Sequence, residues 1–441
     1  MNWFSTLRPI HTIFLGYIFY VFIIFLLLSV PICWRSGVDG VSFIDTLFIA
    51  TSVISTSALM PIQTTQVYNM LGEIIILFGV QIGGLGYMTI GSYAILASKG
   101  HLSANRINIG KAIFAMPASF NPVRFLRHIM IFTVSIEAIG ALFLWQAFTE
   151  ADVPNPLWAA IFHSVTSFCT AGFSIFPNNL EGFVSNVKVN IIVTVLNLLG
   201  AIGFIVLDDI YRTISSGKLK TTLTTRIILV STFSAIVIGT FLVFFDDHVA
   251  ELPIKERFLV SFFQTVSALT TSGFSTYPVS KISAATVMII MILMILGASP
   301  SGTGGGLKST TWSAAIATII SFMRGRDEIT FFGSKVPHGR VTAAFAAFAL
   351  YLITFSIGAY FLLLFEDHKF EDIVFEVASA LSTVGLSRGI TPELGTVGKL
   401  IIITIMFIGR FGVVSLALVA VAFYKEKFDN IEQEKNDDIV L

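Results

Sequence analysis

Long apolar runs alternate with short amphipathic ones along this chain, and the alternation occurs four times. The first long run of each unit covers about 11–34, 125–148, 226–245 and 341–365. The second covers about 71–97, 187–211, 284–322 and 396–424. Each is long enough to cross a hydrocarbon core of ~30 Å, which needs about 20 residues of helix. The pattern predicts eight spanning helices. Between the two long runs of each unit lies a shorter one, at 43–56, 156–169, 256–270 and 371–382. These are too short to span, so they predict re-entrant helices. Their starts carry helix-entry chemistry: Asp45, Pro156, Glu256, and Glu371 with Asp372.

Each short run ends in the same motif. Phe48, Phe162, Phe263 and Phe375 align without a gap, at intervals of roughly a hundred residues, a period that marks repeated units. The fifth position is then always a hydroxyl residue: Ser52, Thr166, Ser267 and Ser379. The ninth is always threonine, and the four tetrapeptides that start there are Thr56-Ser57-Ala58-Leu59, Thr170-Ala171-Gly172-Phe173, Thr271-Ser272-Gly273-Phe274 and Thr383-Val384-Gly385-Leu386. The units so defined are 11–98, 124–212, 225–323 and 341–424, followed by a charged tail at 425–441. In this register Ala58 stands where the other units have glycine; a slip of one residue would put Ser57 there instead.

Composition agrees with the hydropathy pattern. Of 441 residues 55% are hydrophobic and 12% charged, and 42 are phenylalanine. A soluble domain of this size cannot hide so much apolar surface, so an integral membrane protein is expected. Net charge is zero, which leaves no bulk electrostatic case for nucleic acid. The two cysteines, Cys33 and Cys169, lie in different settings and predict no structural disulfide. The first apolar run is too long for a signal-peptide core and reads as a retained helix.

Lys and Arg set the orientation. Lys99, Arg106, Lys111, Arg124 and Arg127, then Arg212, Lys218, Lys220 and Arg226, then Arg324, Arg326, Lys335 and Arg340 lie between units. Glu150, Asp152, Asp246, Asp247, Glu366 and Asp367 flank the motifs. The inter-unit segments and both termini are therefore expected in the cytoplasm, the motifs outside, and the four units parallel.

A dehydrated cation needs oxygens in place of its water, and backbone carbonyls aimed at an axis supply them. The strand that carries them needs unusual dihedrals, which glycine reaches without a Cβ penalty. Each short helix directs its partly negative C-terminal end toward the same cavity. Close helix packing in the membrane also favours small residues and accounts for Gly83, Gly84, Gly86, Gly200 and Gly203. It does not account for glycine at one register in three units.

The order helix, re-entrant helix, motif, helix, with Thr383-Val384-Gly385, resembles a potassium-channel subunit. Four such units in one chain resemble the Trk/Ktr/HKT superfamily of potassium and sodium transporters, within it the KtrB-like membrane subunits. Gln81-Ile82-Gly83-Gly84-Leu85-Gly86 and Gly297-Ala298-Ser299-Pro300-Ser301-Gly302-Thr303-Gly304-Gly305-Gly306-Leu307-Lys308 extend the likeness over nearly the whole chain. The second stretch is similar to the superfamily's intramembrane gate loop.

Glycine and proline make a continuous helix through 297–306 very unfavourable. The stretch superficially matches a phosphate-binding loop over Gly302 to Ser309. However, Leu307 replaces the glycine required before Lys308, and no strand precedes it. Arg410 lies mid-helix, aligned with Gly84, Ala201 and Ala298. A charge at that depth costs at least ~2.5 kcal/mol on insertion scales and marks a functional position by default. Its alternatives are a pore-facing guanidinium beside the gate loop, matching the arginine of the superfamily's last helix, or an ion pair with Glu137. Lys308 either ends the loop at the cytoplasmic mouth or snorkels to the interface.

The reading is an all-α integral membrane protein with four parallel helix–pore loop–helix repeats. Eight transmembrane helices and four re-entrant pore helices surround a pseudo-fourfold pore. It is expected to be no enzyme; His163, the main candidate for membrane-embedded catalysis, aligns with Ile49, Gln264 and Glu376 and reads as pore-helix packing. The resemblance implies a multi-pass plasma-membrane subunit of a potassium uptake system, with K+ as the transported ion and no cofactor in the chain. It also implies a homodimer in the lipid bilayer and a cytoplasmic nucleotide-binding regulatory ring (KtrA-like) docked on the basic loops and tail. The alternative is a sodium-selective or sodium-coupled transporter of the same superfamily.

Overall fold

The computed structural model describes residues 9–38, 40–86, 122–216, 221–326 and 328–412. The tail, Lys99, Arg106, Lys111, Lys218, Lys220, the side chain of Arg124 and the runs 87–97 and 413–424 lie outside the described residues. Within them the fold is helical apart from a two-residue ladder, β1 Thr330–Phe331 with β2 Ser334–Lys335.

Each first long run is a helix: α1 Pro9–Leu28, α4 Pro122–Glu150, α8 Leu223–Phe244 and α12 His338–Phe365. Each short run is also one: α2 Phe43–Ser55, α5 Pro156–Phe168, α9 Ile254–Thr270 and α13 Phe370–Leu381. The entry chemistry is local. Ser42 Oγ accepts from the Asp45 amide at 3.1 Å, Pro156 opens α5, and Arg388 holds Asp372 at 2.5 Å at the start of α13. Acids in the first turn of α2, α9 and α13 oppose the positive end of the helix dipole.

The second runs differ from the expectation of one long helix. They are α3 Met70–Leu85, α6 Val187–Ile202, α10 Ala284–Leu296 and α14 Thr396–Phe411. Each stops at a glycine with positive φ: Gly86 at 80°, Gly203 at 95°, Gly297 at 66° and Gly412 at 89°. After Gly203 the chain turns 94° into α7 Phe204–Ser216. After Gly297 it forms the irregular stretch that leads into α11 Ser309–Met323. The break expected in the third unit alone therefore has a counterpart in every unit. Among the described residues three helices are long and apolar enough to cross a membrane, Leu126–Glu150, Leu223–Phe244 and Gly339–Phe365, and the bent pair would make a fourth.

Packing closes the units into a ring. α3 packs on α5 of the next unit, α6 on α9, α10 on α13, and α14 returns to α2. Outward faces are apolar, with Phe19, Phe22, Phe233, Phe241, Ile353 and Tyr360 all exposed. The short helices bury polar groups instead, including Ser52, Thr166, Ser267 and Ser379. Apolar outside and polar inside is the arrangement expected of a chain whose outer solvent is lipid.

Three aligned glycines set the spacing between second and short helices. A Cβ built on Gly83 lies 2.3 Å from the Ile54 carbonyl oxygen, on Gly200 1.9 Å from that of Phe168, and on Gly409 2.2 Å from that of Leu381. In each case the contact is the backbone two residues before the motif threonine. Such overpacking against backbone costs about 1–3 kcal/mol or more. Gly200→Ala is therefore expected to lower the thermal midpoint of the detergent-solubilised protein by several degrees. An unchanged midpoint would show that the helix yields without cost.

Candidate functional site

Each short helix ends by reversing its backbone hand. The threonines adopt φ of 56° at Thr56, 49° at Thr170, 56° at Thr271 and 51° at Thr383, and the residues two further on adopt 54° at Ala58, 59° at Gly172, 77° at Gly273 and 101° at Gly385. A β-branched residue in that region is an outlier worth about 1–3 kcal/mol of strain, a pattern that clusters at functional sites. In an ordinary extended strand successive residues alternate sides. A left-handed residue at every second position turns successive carbonyls toward one side instead.

The four segments surround one another. A Cβ built on Gly172 falls 2.2 Å from Ser272 O, on Gly273 2.1 Å from Val384 O, and on Gly385 2.3 Å from Ser57 O. Each glycine thus abuts the carbonyl that precedes the equivalent residue of the next unit. This regularity puts Ala58, with Ser57 before it, at the register of the three glycines. The Ala58 methyl lies 3.1 Å from the Gly172 Cβ position and 2.7 Å from that of Gly385. Thr56, Ser57, Thr170, Ala171, Thr271, Ser272, Thr383 and Val384 are fully buried. Among the described residues nothing donates to their carbonyl oxygens. Buried carbonyls are normally paired, so a ring of unpaired ones is a site for something else that is positive.

The stretch after Gly297 lies directly against these segments. Gly305 N donates to Thr271 Oγ1 at 2.7 Å, Thr303 Oγ1 lies 3.1 Å from Thr170 Oγ1 and donates to Phe168 O at 3.0 Å, and a Cβ on Gly305 would meet Ser382 O at 2.2 Å. Internally, Ala298 N donates to Gly305 O at 3.0 Å, Gly302 N to Ser299 O at 3.2 Å, and Ser309 Oγ to Ser299 Oγ at 3.1 Å. Ser299 N and Thr303 N donate to Ala201 O and Gly200 O at 3.0 and 3.1 Å, and a Cβ on Gly203 would meet Pro300 O at 2.4 Å. Ser301 O accepts from Phe204 N at 3.2 Å, at the start of α7. Gly304 is pressed against Thr271 and Gly306 against Gly297. Lys308, half-buried, turns its amine back to Gly304 O at 2.6 Å.

Arg410 completes the assembly from α14. Its guanidinium donates to Thr303 O at 2.6 Å, to Gly84 O at 3.2 Å and to Gly83 O. It bridges the loop of the third unit and the end of α3 in the first. Glu137 is engaged elsewhere, accepting from Gln81 Nε2 at 3.0 Å with the Cys169 thiol 3.9 Å away. Of the two alternatives for Arg410, the geometry is therefore contact with loop carbonyls, with no ion pair to Glu137.

A family profile described as "TrkH: Cation transport protein" matches residues 35–430. The chain belongs to the TrkH family. Among its relatives, Ktr system potassium uptake protein B of Bacillus subtilis (strain 168) is 31% identical over 430 residues, covering 96% of this chain and 94% of that protein. Potassium/sodium uptake protein NtpJ of Enterococcus hirae is 31% identical over 427 residues, covering 93% and 92%. The crystal structure of the potassium transporter TrkH from Vibrio parahaemolyticus superposes with a TM-score of 0.72 at 20% identity, over 92% of this chain and 84% of that one, which establishes the shared fold.

As a TrkH-family member the chain is a membrane transport protein and not an enzyme. His163 is fully enclosed, with Nδ1 2.7 Å from Ala159 O, Nε2 2.9 Å from Ser174 Oγ, and its ring stacked on Phe176. Both cysteines are free thiols. Two site residues, Asn179 and Tyr351, escaped the sequence reading, and Thr303 was read only as one residue of the gate loop. Thr303 is the hub that joins Thr170, Phe168 and Arg410. Asn179 bridges two motif segments, donating to Gly172 O at 3.2 Å and accepting from Ser275 N at 3.2 Å. Tyr351 OH lies 2.5 Å from Ser382 Oγ behind the fourth. Thr303 stands in a stretch the glycines had already marked, but no pattern in the sequence pointed to Asn179 or Tyr351.

Proposed function

We propose that the chain is the ion-translocating membrane subunit of a potassium uptake system. K+ passes through the ring of carbonyls at residues 56–59, 170–173, 271–274 and 383–386, and the loop 297–306 with Lys308 and Arg410 gates it. The observation that carries this reading is the ring itself: four segments, each with two left-handed residues at the same spacing, pressed backbone to backbone around one axis. Eight buried carbonyls without donors among the described residues suit a cation that has shed its water. The names of the relatives supply the ion. The loop lies immediately below the ring and would have to move for ions to pass. Four parallel pore-loop units, a multi-pass plasma-membrane location with both termini cytoplasmic, a homodimer, and a KtrA-like nucleotide-binding ring on the cytoplasmic side belong to the same proposal.

The test is rubidium and sodium uptake into liposomes holding the purified protein under an inside-negative potential. Potassium-blocked rubidium uptake is the expected result. Sodium uptake without rubidium would favour a sodium-selective or sodium-coupled transporter instead, and no flux even with a candidate regulatory ring and nucleotide would overturn the reading.

Ala58 gives the sodium alternative its specific support. At φ 54° it holds an L side chain where the other three units have glycine, a conformation that costs ~1–2 kcal/mol outside glycine. The first quarter of the ring is accordingly under strain, and discrimination of potassium over sodium should be weaker than with four glycines. Ala58→Gly is expected to raise the rubidium-to-sodium uptake ratio by up to about tenfold, the equivalent of ~1.4 kcal/mol. An unchanged ratio removes Ala58 as a determinant.

A further inference from the structure

Behind the ring the structure repeats a second device, which rests on the reading of the ring as the ion filter. Seven residues before the motif threonine and four residues after it, a pair of polar side chains meets in three of the four units. His163 Nε2 lies 2.9 Å from Ser174 Oγ, Gln264 Nε2 donates to Ser275 Oγ at 2.8 Å, and Ser387 Oγ donates to Glu376 Oε2 at 2.8 Å. The partners are eleven residues apart each time. His163, Gln264 and Glu376 are fully buried.

Each pair ties the short helix to the chain that climbs away from the ring. His163 Nδ1 faces Ala159 O at 2.7 Å, where it must donate, so the neutral ring accepts at Nε2 from the Ser174 hydroxyl. Ser174 Oγ in turn accepts from Phe176 N at 3.0 Å. Gln264 reaches on to Tyr277 O at 2.7 Å, and the second oxygen of Glu376 accepts from Thr391 Oγ1. The three residue types differ, but the connection is the same.

The first unit lacks it. The equivalent positions are Ile49 and Met60, which have no hydrogen bond to offer each other. The fifth-position hydroxyl differs in the same sense. In the third and fourth units Ser267 Oγ donates to Phe274 O at 2.6 Å and Ser379 Oγ accepts from Gly385 N at 3.0 Å. In the second Thr166 Oγ1 turns back to Phe162 O at 2.8 Å within its own helix, and in the first Ser52 Oγ is buried without a partner among the described residues. The unlatched segment is also the one that carries Ala58.

We propose that His163–Ser174, Gln264–Ser275 and Glu376–Ser387 are latches that position three quarters of the filter, and that the unlatched first quarter sets how far the ring discriminates potassium from sodium. Sodium is the smaller ion and is served when carbonyls close in around it. A latched segment resists that movement and an unlatched one permits it. The latch residues touch no ion; they act by holding the backbone that does.

The test uses the full chain in liposomes and reads the rubidium-to-sodium uptake ratio. Ile49→Gln with Met60→Ser builds a fourth latch and is expected to raise the ratio roughly threefold to tenfold, the net worth of one buried hydrogen bond. Gln264→Leu and Glu376→Leu are expected to lower it by a similar factor. Glu376→Gln, whose amide oxygen still accepts from Ser387, is expected to restore it. A merely structural role would reduce folded protein and both fluxes together at constant ratio; that result in the leucine variants overturns the proposal, whether or not the double variant folds. Gly273→Ser, measured in parallel, separates two failures. If it collapses uptake while the latch variants keep the parental ratio, the latches fail and the filter stands. If it too leaves uptake and ratio unchanged, both fail.

Discussion

Replacing Gly273 by serine is expected to abolish rubidium uptake. Gly273 holds φ at 77°, and a Cβ there would sit 2.1 Å from Val384 O and 3.1 Å from the Gly385 Cα. Both neighbours are backbone of the next segment, so no side chain can rotate away. The left-handed conformation alone costs ~1–2 kcal/mol for a residue with a Cβ. The larger effect is geometric. To admit the Cβ, Val384 O must give way by about 1 Å, and the Val384 carbonyl is one of those assigned to the ion. Each 1.4 kcal/mol lost from ion coordination lowers flux about tenfold, so uptake should fall at least about a hundredfold. The fold is expected to persist, because α9 and α13 keep their packing on α6 and α10. The measurement is uptake alongside a monodisperse elution profile. A variant that folds and takes up rubidium at the parental rate would show that Gly273 lines no conduction path.

That prediction depends on a register legible in the sequence itself. Four phenylalanines fixed the frame, and the short helices end within a residue or so of the run boundaries because each is closed by a chemical event. The chain must leave the helix at the motif, where the helical hand reverses at Thr56, Thr170, Thr271 and Thr383. The first long helices α4, α8 and α12 were legible for a related reason, since polar and charged residues close their ends, whereas α1 stops at Leu28, short of the expected 34 and just before Pro31.

The second helices were not legible in the same way. Hydropathy continues across Gly86 and Gly203, so nothing in the apolar count distinguishes a helix that passes a glycine from one that stops there. The decisive fact is the left-handed φ, which composition does not record. Buried pairs were hidden for a different reason. Asp208 lies in what reads as an apolar run, yet it meets His128 at 2.6 Å and Arg212 at 2.8 Å after the 94° turn. Glu73 joins Arg35 at 3.3 Å and Trp158 at 2.7 Å across two units. Apart from Arg212, four residues on from Asp208, these partners are distant in sequence, and only the tertiary fold brings them together. The alignment of Ile49, His163, Gln264 and Glu376 was visible, but its meaning required the serines that fold back onto three of them.

Arg410→Ala is expected to raise ion flux by about tenfold or more. The guanidinium is held at three carbonyls, of Thr303, Gly84 and Gly83, and Thr303 also contacts the second motif segment. Two consequences of its removal act in the same direction. The loop loses its anchor from the fourth unit, so displacing it from the ring becomes easier. A fixed positive charge also leaves the region through which a cation must pass. Even at an effective dielectric of 20, two unit charges 8 Å apart repel by ~2 kcal/mol, more than enough for a tenfold change in rate. Arg410→Lys separates the contributions. Lysine keeps the charge as a single point but lacks the planar fork that reaches several carbonyls at once. Flux near the parental level in the lysine variant would assign the barrier to charge; flux near that of Arg410→Ala would assign it to the anchor. An alanine variant that folds and conducts no faster than the parent would mean that the loop and Arg410 do not gate this path, and that the contacts to Thr303 and Gly83 serve only to join the first, third and fourth units.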